Sequence, residues 1–488
     1  MMEEKPAADM VRETYRIIRE AMDAGVADNV IPAAMARKLD NSAFLFSGFK
    51  TAQELKEASL LLREKDGTVK GFSRFLTDIR RIDANYNVRY LEAEYNFAVS
   101  SAQMAASWAE VSQDGDRYDL QYRTAGDDRV REEHRALNGV TLPPSNDFWR
   151  YYYPPNGWNC RCTAVQVLKG KYPTSDDKQA IQAGDRMTDT PKKRIFRFNP
   201  GIDGQLFPPK HPYYKLSREA AGQVKKAVGK MAQANRIEEM IAEMPDNLTA
   251  EEKRALAVHN IKLEEALGIT KGKPMTVEQA DRQSANPYYV PEFIHDGNGT
   301  YRDCFGNRYK RNPAYKKSDD KYSINCATCA PTYTLRLRGF DIKAKGRIKG
   351  SGSINDYIAH QHSFEAWKNI DGTPAVPVLT QEWMVRKGYK QMTPARYAEY
   401  FNESCREEGV YILTIGWKEG GGHATILQRF SDGSLKYIEP QSFDDMKGMA
   451  RDVDELCQKG MGNPAPTRGI LRVDNKLFNI DFLSLFDK

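Results

Sequence analysis

The sequence predicts a multidomain protein: a mainly α N-terminal domain over 1–168, a charged helical connector over 169–274, and an α+β C-terminal domain over 275–488. Three observations predict it. A length of 488 residues corresponds to about three units of ordinary domain size. The first part carries long apolar periodicities of helical type. The last part carries short alternating runs separated by glycine turns, which is the signature of antiparallel strands.

In the N-terminal domain, Lys70 to Ser112 contains Gly71 and no proline, while Phe75, Ile79, Ile82, Tyr86, Tyr90, Ala93, Phe97, Ala102 and Trp108 recur mostly at steps of three and four. This spacing predicts one amphipathic helix of roughly 60 Å. Shorter helical patterns precede it at Ala7 to Ala24 and at Thr51 to Lys65, the latter ending at Asp66-Gly67. Tyr118 to Thr124 alternates as a strand, and the remainder up to Leu168 is rich in Pro, Gly, Asn and aromatic residues, so little regular structure is expected there. In the connector, helical patterns run from Arg218 to Met244 and from Ala250 to Leu267. Thr249 and Glu252 form a capping box for the second.

In the C-terminal domain, Val410 to Trp417 and His423 to Phe430 read as strands joined by Lys418-Glu419-Gly420-Gly421-Gly422, with Leu435 to Ile438 following the Asp432-Gly433 turn. These three form an antiparallel meander. A helix is expected at Thr328 to Leu337 and a strand at Phe340 to Ala344.

Composition excludes several classes. Lys and Arg total 72 against 66 Asp and Glu, a net charge of +6 too dilute to imply a nucleic-acid or membrane partner. No run approaches the roughly 18 apolar residues of a membrane span, and the acidic start MMEEKPAADMVRETYR is unlike a secretory signal. The seven cysteines, Cys160, Cys162, Cys304, Cys326, Cys329, Cys405 and Cys457, are odd in number and sparse, which fits a reducing compartment better than a disulfide scaffold. The basic runs Arg302 to Lys321 and Lys343 to Lys349 lack an acidic metal cluster of nuclease type. They read as solvated loops with at most incidental DNA contact.

The segment Tyr118 to Val167 gathers Asp127, Asp128, His134, the aromatic run Phe148 to Tyr153, and Cys160-Arg161-Cys162. His134, Cys160 and Cys162 could supply three zinc ligands, but two cysteines one residue apart depart from the usual knuckle spacing. The preferred reading is a loop-rich cap in which Trp149, Tyr152 and Trp158 pack over the helices, with no cofactor and zinc as the lesser alternative. The run Arg123-Thr124-Ala125-Gly126-Asp127-Asp128-Arg129-Val130, then His134, Leu137-Asn138-Gly139 and Pro154-Pro155-Asn156-Gly157-Trp158-Asn159-Cys160-Arg161-Cys162, resembles the phage head morphogenesis domain of Mu F-like minor head proteins over about residues 40 to 168. The resemblance implies a structural component of a tailed-phage head, near the portal and able to enter a recipient cell with the DNA. It implies no catalysis.

The densest chemical signal is Ser323-Ile324-Asn325-Cys326-Ala327-Thr328-Cys329-Ala330-Pro331. A nucleophilic cysteine benefits from a helix N-terminus, where free N–H groups and the macrodipole favour the thiolate. Proline belongs in a first turn, so Thr328 is expected as N-cap, Cys329 as the first helical residue and Pro331 as the third. His423 opens a strand after three glycines, and the next strand ends at Tyr437-Ile438-Glu439-Pro440-Gln441, so a carboxylate can orient the imidazole. A metal half-site at Cys326 and Cys329 lacks a second ligand pair nearby, and a redox pair lacks the βαβ context.

The order cysteine, histidine, acid is that of papain-like enzymes. More closely, Ala280-Asp281, Asn286-Pro287-Tyr288, Asn325-Cys326 with Cys329, Leu335 to Ile342, Gly422-His423 and Ile438-Glu439-Pro440-Gln441 resemble the papain-fold toxin family (Tox-PL), regarded as glutamine deamidases or proteases, over about residues 275 to 445. The resemblance implies a papain-like fold and catalytic residues among Cys326, Cys329, His423, Glu439 and Gln441. Glu439 stands where the family usually has Asp, and Gln441 is the alternative helper. Helix geometry favours Cys329 as the nucleophile, while Asn325-Cys326 matches cysteine hydrolases whose nucleophile follows a polar residue.

Together the resemblances imply a minor head protein carrying a cysteine-dependent amidohydrolase that deamidates glutamine or cleaves a peptide bond in a host protein. Expected partners are portal and head proteins, a host substrate and an immunity protein, with no membrane. Expected locations are the virion and the bacterial cytoplasm. The alternative is a purely structural head or portal protein with a non-catalytic C-terminal domain.

Overall fold

The computed structural model describes all residues other than 1–4, 28, 67, 113, 115–116, 291–292, 296–300, 303–307, 313, 417–420, 443–451 and 459–464. Cys304, Gly67, Trp417, residues 418–420 of the hairpin connection and part of the 302–321 basic run therefore lie outside the described residues. The chain divides into two compact units, 1–236 and 237–488, with the boundary inside the helix Arg218–Ala242.

In the first unit, α1 (Lys5–Val26) packs on α4 (Leu91–Val111) through small residues. A Cβ on Gly25 would lie 2.3 Å from the Val99 carbonyl oxygen, so the close approach requires glycine. α2 (Ala33–Leu60) begins far upstream of the expected Thr51, because Leu39, Phe44, Phe46 and Phe49 are buried on different sides of a helix that is enclosed all round at its centre. The single helix expected over Lys70 to Ser112 is instead α3 (Phe72–Ala84), a π-helical turn at Asn85–Tyr90 and α4. The wider turn shifts the stripe by one position and brings Tyr86 into the core, where its hydroxyl donates to Glu57 at 2.6 Å.

Part of the expected connector completes this core. Phe196, Phe198, Phe207 and Tyr213 are buried with the helices, and the Phe207 ring stacks on Phe46 with centroids 3.5 Å apart. Lys50 is fully buried in an ion pair with Glu94, whose other oxygen accepts a 2.8 Å hydrogen bond from Tyr213.

Beyond α4 lies a three-stranded antiparallel sheet with β1 (Tyr118–Arg123) at its centre, flanked by β2 (Thr141–Leu142) and β3 (Thr163–Leu168). Tyr118 pairs with Leu168 and Arg123 with Thr163. More regular structure thus forms here than the Pro- and Gly-rich sequence suggests. A second core forms around Trp149, Tyr152 and Tyr153, which pack with Met104 and Val111 of α4, and Trp158 packs on Phe97 and Phe196.

In the second unit, α5 (Ala250–Leu267) starts at the expected capping box: Thr249 N–H donates to Glu252 at 2.9 Å and Glu252 N–H to the Thr249 hydroxyl at 3.2 Å. Leu263 and Leu267 of this helix belong to the unit's core, so the 169–274 segment is not a separate domain but is shared between the two units. α6 (Cys326–Leu337) lies against an antiparallel sheet of five strands. These are β4 (Val378–Leu379), β5 (Gly409–Gly416), β6 (Gly422–Arg429), β7 (Leu435–Ile438) and β8 (Gly469–Arg472). Their order is β7-β6-β5-β8-β4, with the expected meander on one side. Phe340 to Ala344 forms a strand only at Lys343–Ala344.

Both faces of the sheet are covered. Ala424 and Ile426 of β6 face a cluster containing Ala327, Ala330 and Tyr333 of α6, while Leu427 and Tyr437 face Trp383, Tyr400 and Phe401 from two short helices. This alternation is what period-2 patterning requires of a sheet buried on both sides. Among the described residues no helix is long and apolar enough to cross a membrane.

Candidate functional site

The helix start places the thiols differently from the sequence expectation. α6 opens at Cys326 with Asn325 as N-cap, and Pro331 sits inside the helix instead of in its first turn. The N–H groups of Thr328 and Cys329 both turn back to the Asn325 carbonyl, at 2.8 and 3.1 Å. The helix thereby begins three residues early and accepts the loss of the Pro331 bond to Ala327. Cys326 takes the terminal position foreseen for Cys329.

Cys326 is partly exposed, whereas Cys329 is wholly buried and burial pushes its thiol well up. Cys329, favoured as the nucleophile by the expected helix start, lies instead in the apolar packing of α6, with burial and the charges of Cys326 and Glu439 as its influences. The group next to the His423 ring is the Cys326 thiol.

Strand register explains the histidine and the acid. The β6-β7 ladder ends at the pair Ile426 and Ile438, and its register carried one step past that end sets Glu439 beside Thr425, diagonal to His423. His423 Nε2 donates to Glu439 Oε2 at 2.6 Å, and both side chains are buried. Tyr437, two residues back on the same face, donates its hydroxyl to Glu439 Oε2 at 2.6 Å, and Gln441 N–H donates to Oε1 at 3.0 Å. The extra methylene of Glu relative to Asp does not prevent contact with the imidazole.

Gln441 and two asparagines tie this acid to the helix start. Gln441 Nε2 donates to Asn325 Oδ1 at 3.2 Å, Asn325 Nδ2 donates to Asn286 Oδ1 at 3.0 Å, and Asn286 Nδ2 donates to the Gln441 carbonyl at 3.0 Å. All three residues are buried. Gln441 thus positions the N-cap and the acid together. Tyr437 was not foreseen from the sequence, although its place two residues before Glu439 on a strand puts both on one face. The roles of Asn286 and Asn325 were also not foreseen.

The electrostatics favour a charged trio. Burial raises the Cys326 thiol, but the hydrogen bond and charge of His423 outweigh this and hold it below its ordinary value. Burial lowers His423, and Glu439 with Cys326 more than reverses it, raising the imidazole to about 10. Burial raises Glu439, and His423, Tyr437 and Gln441 together bring it below 4.5. These shifts all favour the charged forms, thiolate, imidazolium and carboxylate, over the neutral ones.

Cys326, His423 and Gln441 line an open cleft of about 470 Å³ together with Arg347, His360 and Arg468. The N–H groups of Cys326 and Ala327 lie in the first helical turn, where no intrahelical acceptor exists, so they can bind a developing oxyanion beside the sulfur. A thiolate nucleophile, a proton-shuttling imidazole and first-turn donors on one cleft suffice chemically for acyl transfer.

The first unit contains a second cluster. His134 Nδ1 lies 3.7 Å from Cys160 Sγ and 3.5 Å from Cys162 Sγ, and all three residues are buried. The residues first weighed as zinc ligands are therefore brought together, while Asp128 stays apart from them and Asp127 binds Arg161 in a bidentate pair with both contacts at 2.6 Å.

Residues 65–165 match the family described as "Phage Mu protein F like protein". The chain is 39% identical over 75 residues to "Putative capsid assembly protein F" of Escherichia phage Mu, an alignment covering 15% of this chain and 17% of that protein. It is 35% identical over 90 residues to "Mu-like prophage FluMu F protein" of Haemophilus influenzae, covering 17% of this chain and 22% of that protein. The chain therefore spans less than a quarter of the length of these relatives. No solved structure matches the chain. The segment around β1 to β3 is similar to the Mu F-like phage head proteins, and the second unit falls outside the match.

Proposed function

We propose that the protein is a phage head component whose second unit is a papain-like, cysteine-dependent amidohydrolase acting on a host protein. The head role rests on the Mu F-like segment at 65–165. Portal and head proteins as partners, and the virion as location, follow from that likeness. The enzymatic role rests on one observation: Cys326 at a helix start beside His423, with His423 bound to Glu439 at 2.6 Å.

In this reaction the Cys326 thiolate attacks a carbonyl carbon and the oxyanion is held by the first-turn N–H groups. The His423 imidazolium then gives its proton to the leaving amine, leaving a thioester on Cys326. Water, deprotonated by His423, hydrolyses the thioester and restores the thiol. With a glutamine side chain the leaving group is ammonia and the product is glutamate. With a backbone amide it is a new amino terminus.

The test is incubation of the full chain, and of its Cys326→Ala variant, with host lysate followed by peptide mass spectrometry. Glutamine-to-glutamate conversion, or new termini, confined to the unaltered chain supports the reading. Identical peptide maps for the two proteins leave the purely structural head role.

A further inference from the structure

We propose that His134, Cys160 and Cys162 form a zinc site, with the imidazole Nδ1 and two thiolate sulfurs as ligands and the fourth position open to a neighbouring cleft. The argument begins with chain direction. The stretch from Cys160 to Cys162 leads directly into β3, and its burial alternates as in a strand approach, with Cys160 and Cys162 buried and Arg161 exposed. Both sulfurs therefore point inward, while Arg161 between them points out to the Asp127 carboxylate. A spacing of one residue, unsuitable for a knuckle turn, suits two ligands on a strand approach.

His134 reaches the same point from across the sheet. It lies on the short helix Glu132–Arg135 after β1, and β1 pairs with β3 so that Arg123 faces Thr163. The three ligand atoms all lie within 4.8 Å of one another.

The distances fit a metal. With Zn–S near 2.3 Å and Zn–N near 2.0 Å, a tetrahedral ion requires a sulfur-to-nitrogen edge of about 3.6 Å. The two observed edges are 3.5 and 3.7 Å. One Nδ1 cannot satisfy two thiols as a hydrogen-bond acceptor with equal geometry, whereas one ion between the three atoms satisfies all of them. Two soft thiolates and an imidazole select zinc over calcium or magnesium. Binding releases the thiol protons to solvent, and two thiolates neutralise the ion, so no net charge is buried.

The fourth position is accessible. His134, Cys160 and Cys162 form part of the wall of a cleft of about 520 Å³ shared with Asn96, Ser100 and Asn159. Three protein ligands facing such a space leave room for water or an incoming donor. The Tyr122 hydroxyl, which donates to Asn156 at 2.9 Å, also lies against Cys162 and helps fix its sulfur. This site is independent of the Cys326 chemistry.

The test uses the full chain purified from zinc-supplemented cells, with metal content measured by mass spectrometry, and the chelator-stripped chain titrated with cobalt. The expected result is about one zinc per chain and an intense thiolate-to-cobalt absorption band. Both should fall at least about tenfold in Cys160→Ser and Cys162→Ser and persist in Cys326→Ser. Should the serine variants fail to fold, alkylation mapping of the unaltered chain decides: zinc must protect Cys160 and Cys162, and chelator must expose them. A folded, unaltered chain that holds no zinc and gives no cobalt band overturns the proposal, as does alkylation of these cysteines at the same rate with and without metal.

Discussion

His423 Nε2 and Glu439 Oε2 lie 2.6 Å apart, although neither residue is opposite the other in the β-ladder. The contact is diagonal, and the same imidazole also hydrogen-bonds the Cys326 thiol. Tyr437 and Gln441 add two further hydrogen bonds to the carboxylate, so its orientation is fixed from three sides.

The first prediction concerns the two thiols. Cys326→Ala is expected to lower hydrolytic turnover by roughly 10⁴-fold or more, as removal of a nucleophile does. Cys329→Ser should leave the chemistry in place and instead lower stability by about 1–3 kcal/mol, because a hydroxyl is buried in an apolar site. Turnover and thermal melting of the two variants, measured side by side, separate these effects.

Alkylation should report the ion pair. With the Cys326 thiol held below its ordinary value by His423, iodoacetamide should label it at a lower pH than it labels an ordinary thiol of pKa about 8.5. In His423→Ala the inflection is expected to move upward, because burial then acts without the compensating charge. Labelling rate against pH, read by mass spectrometry at the Cys326 peptide, measures it.

Stability should follow pH at both ends. His423 is raised to about 10, so the stabilisation it draws from Glu439 is complete below its ordinary 6.5 and is lost as pH rises through about 10. Glu439 is lowered from 4.5, so its share is present above that value and is lost as pH falls through its lower folded value. Melting curves of Glu439→Gln across this range should be flatter than those of the unaltered chain. The same variant should lose roughly 10² to 10⁴-fold in turnover, as when a triad carboxylate is neutralised.

Lys50 and Glu94 offer a separate test in the first unit. Replacing either one alone, as Lys50→Met or Glu94→Leu, leaves a buried charge without its counterpart and should cost about 3–5 kcal/mol. The double variant should cost clearly less than the sum of the two. Chemical denaturation of all four proteins gives the coupling.

Much of this was legible in the sequence where the signal is local. The Gly409–Ile438 meander announces itself through alternation and glycine turns, and the Thr249 capping box through two residues three apart. The convergence of cysteine, histidine and acid follows from the order of elements. The choice between Cys326 and Cys329 was not legible, because Pro331 reads as a first-turn residue and only the Asn325 carbonyl, taking two N–H groups, reveals the earlier start. The π turn at Asn85–Tyr90 was hidden for a similar reason, since it keeps helical periodicity on both sides and alters only the phase. The burial of Phe196 to Tyr213 depends on distant helices that no local pattern identifies.

Base and acid are only 16 positions apart on one hairpin, while the sulfur arrives from a helix far upstream. In an extended polypeptide the sulfur is far from its activator and behaves as an ordinary, sluggish thiol. Thiol activation by this histidine is thus a property of the folded second unit alone, and any unfolded form of the chain lacks it.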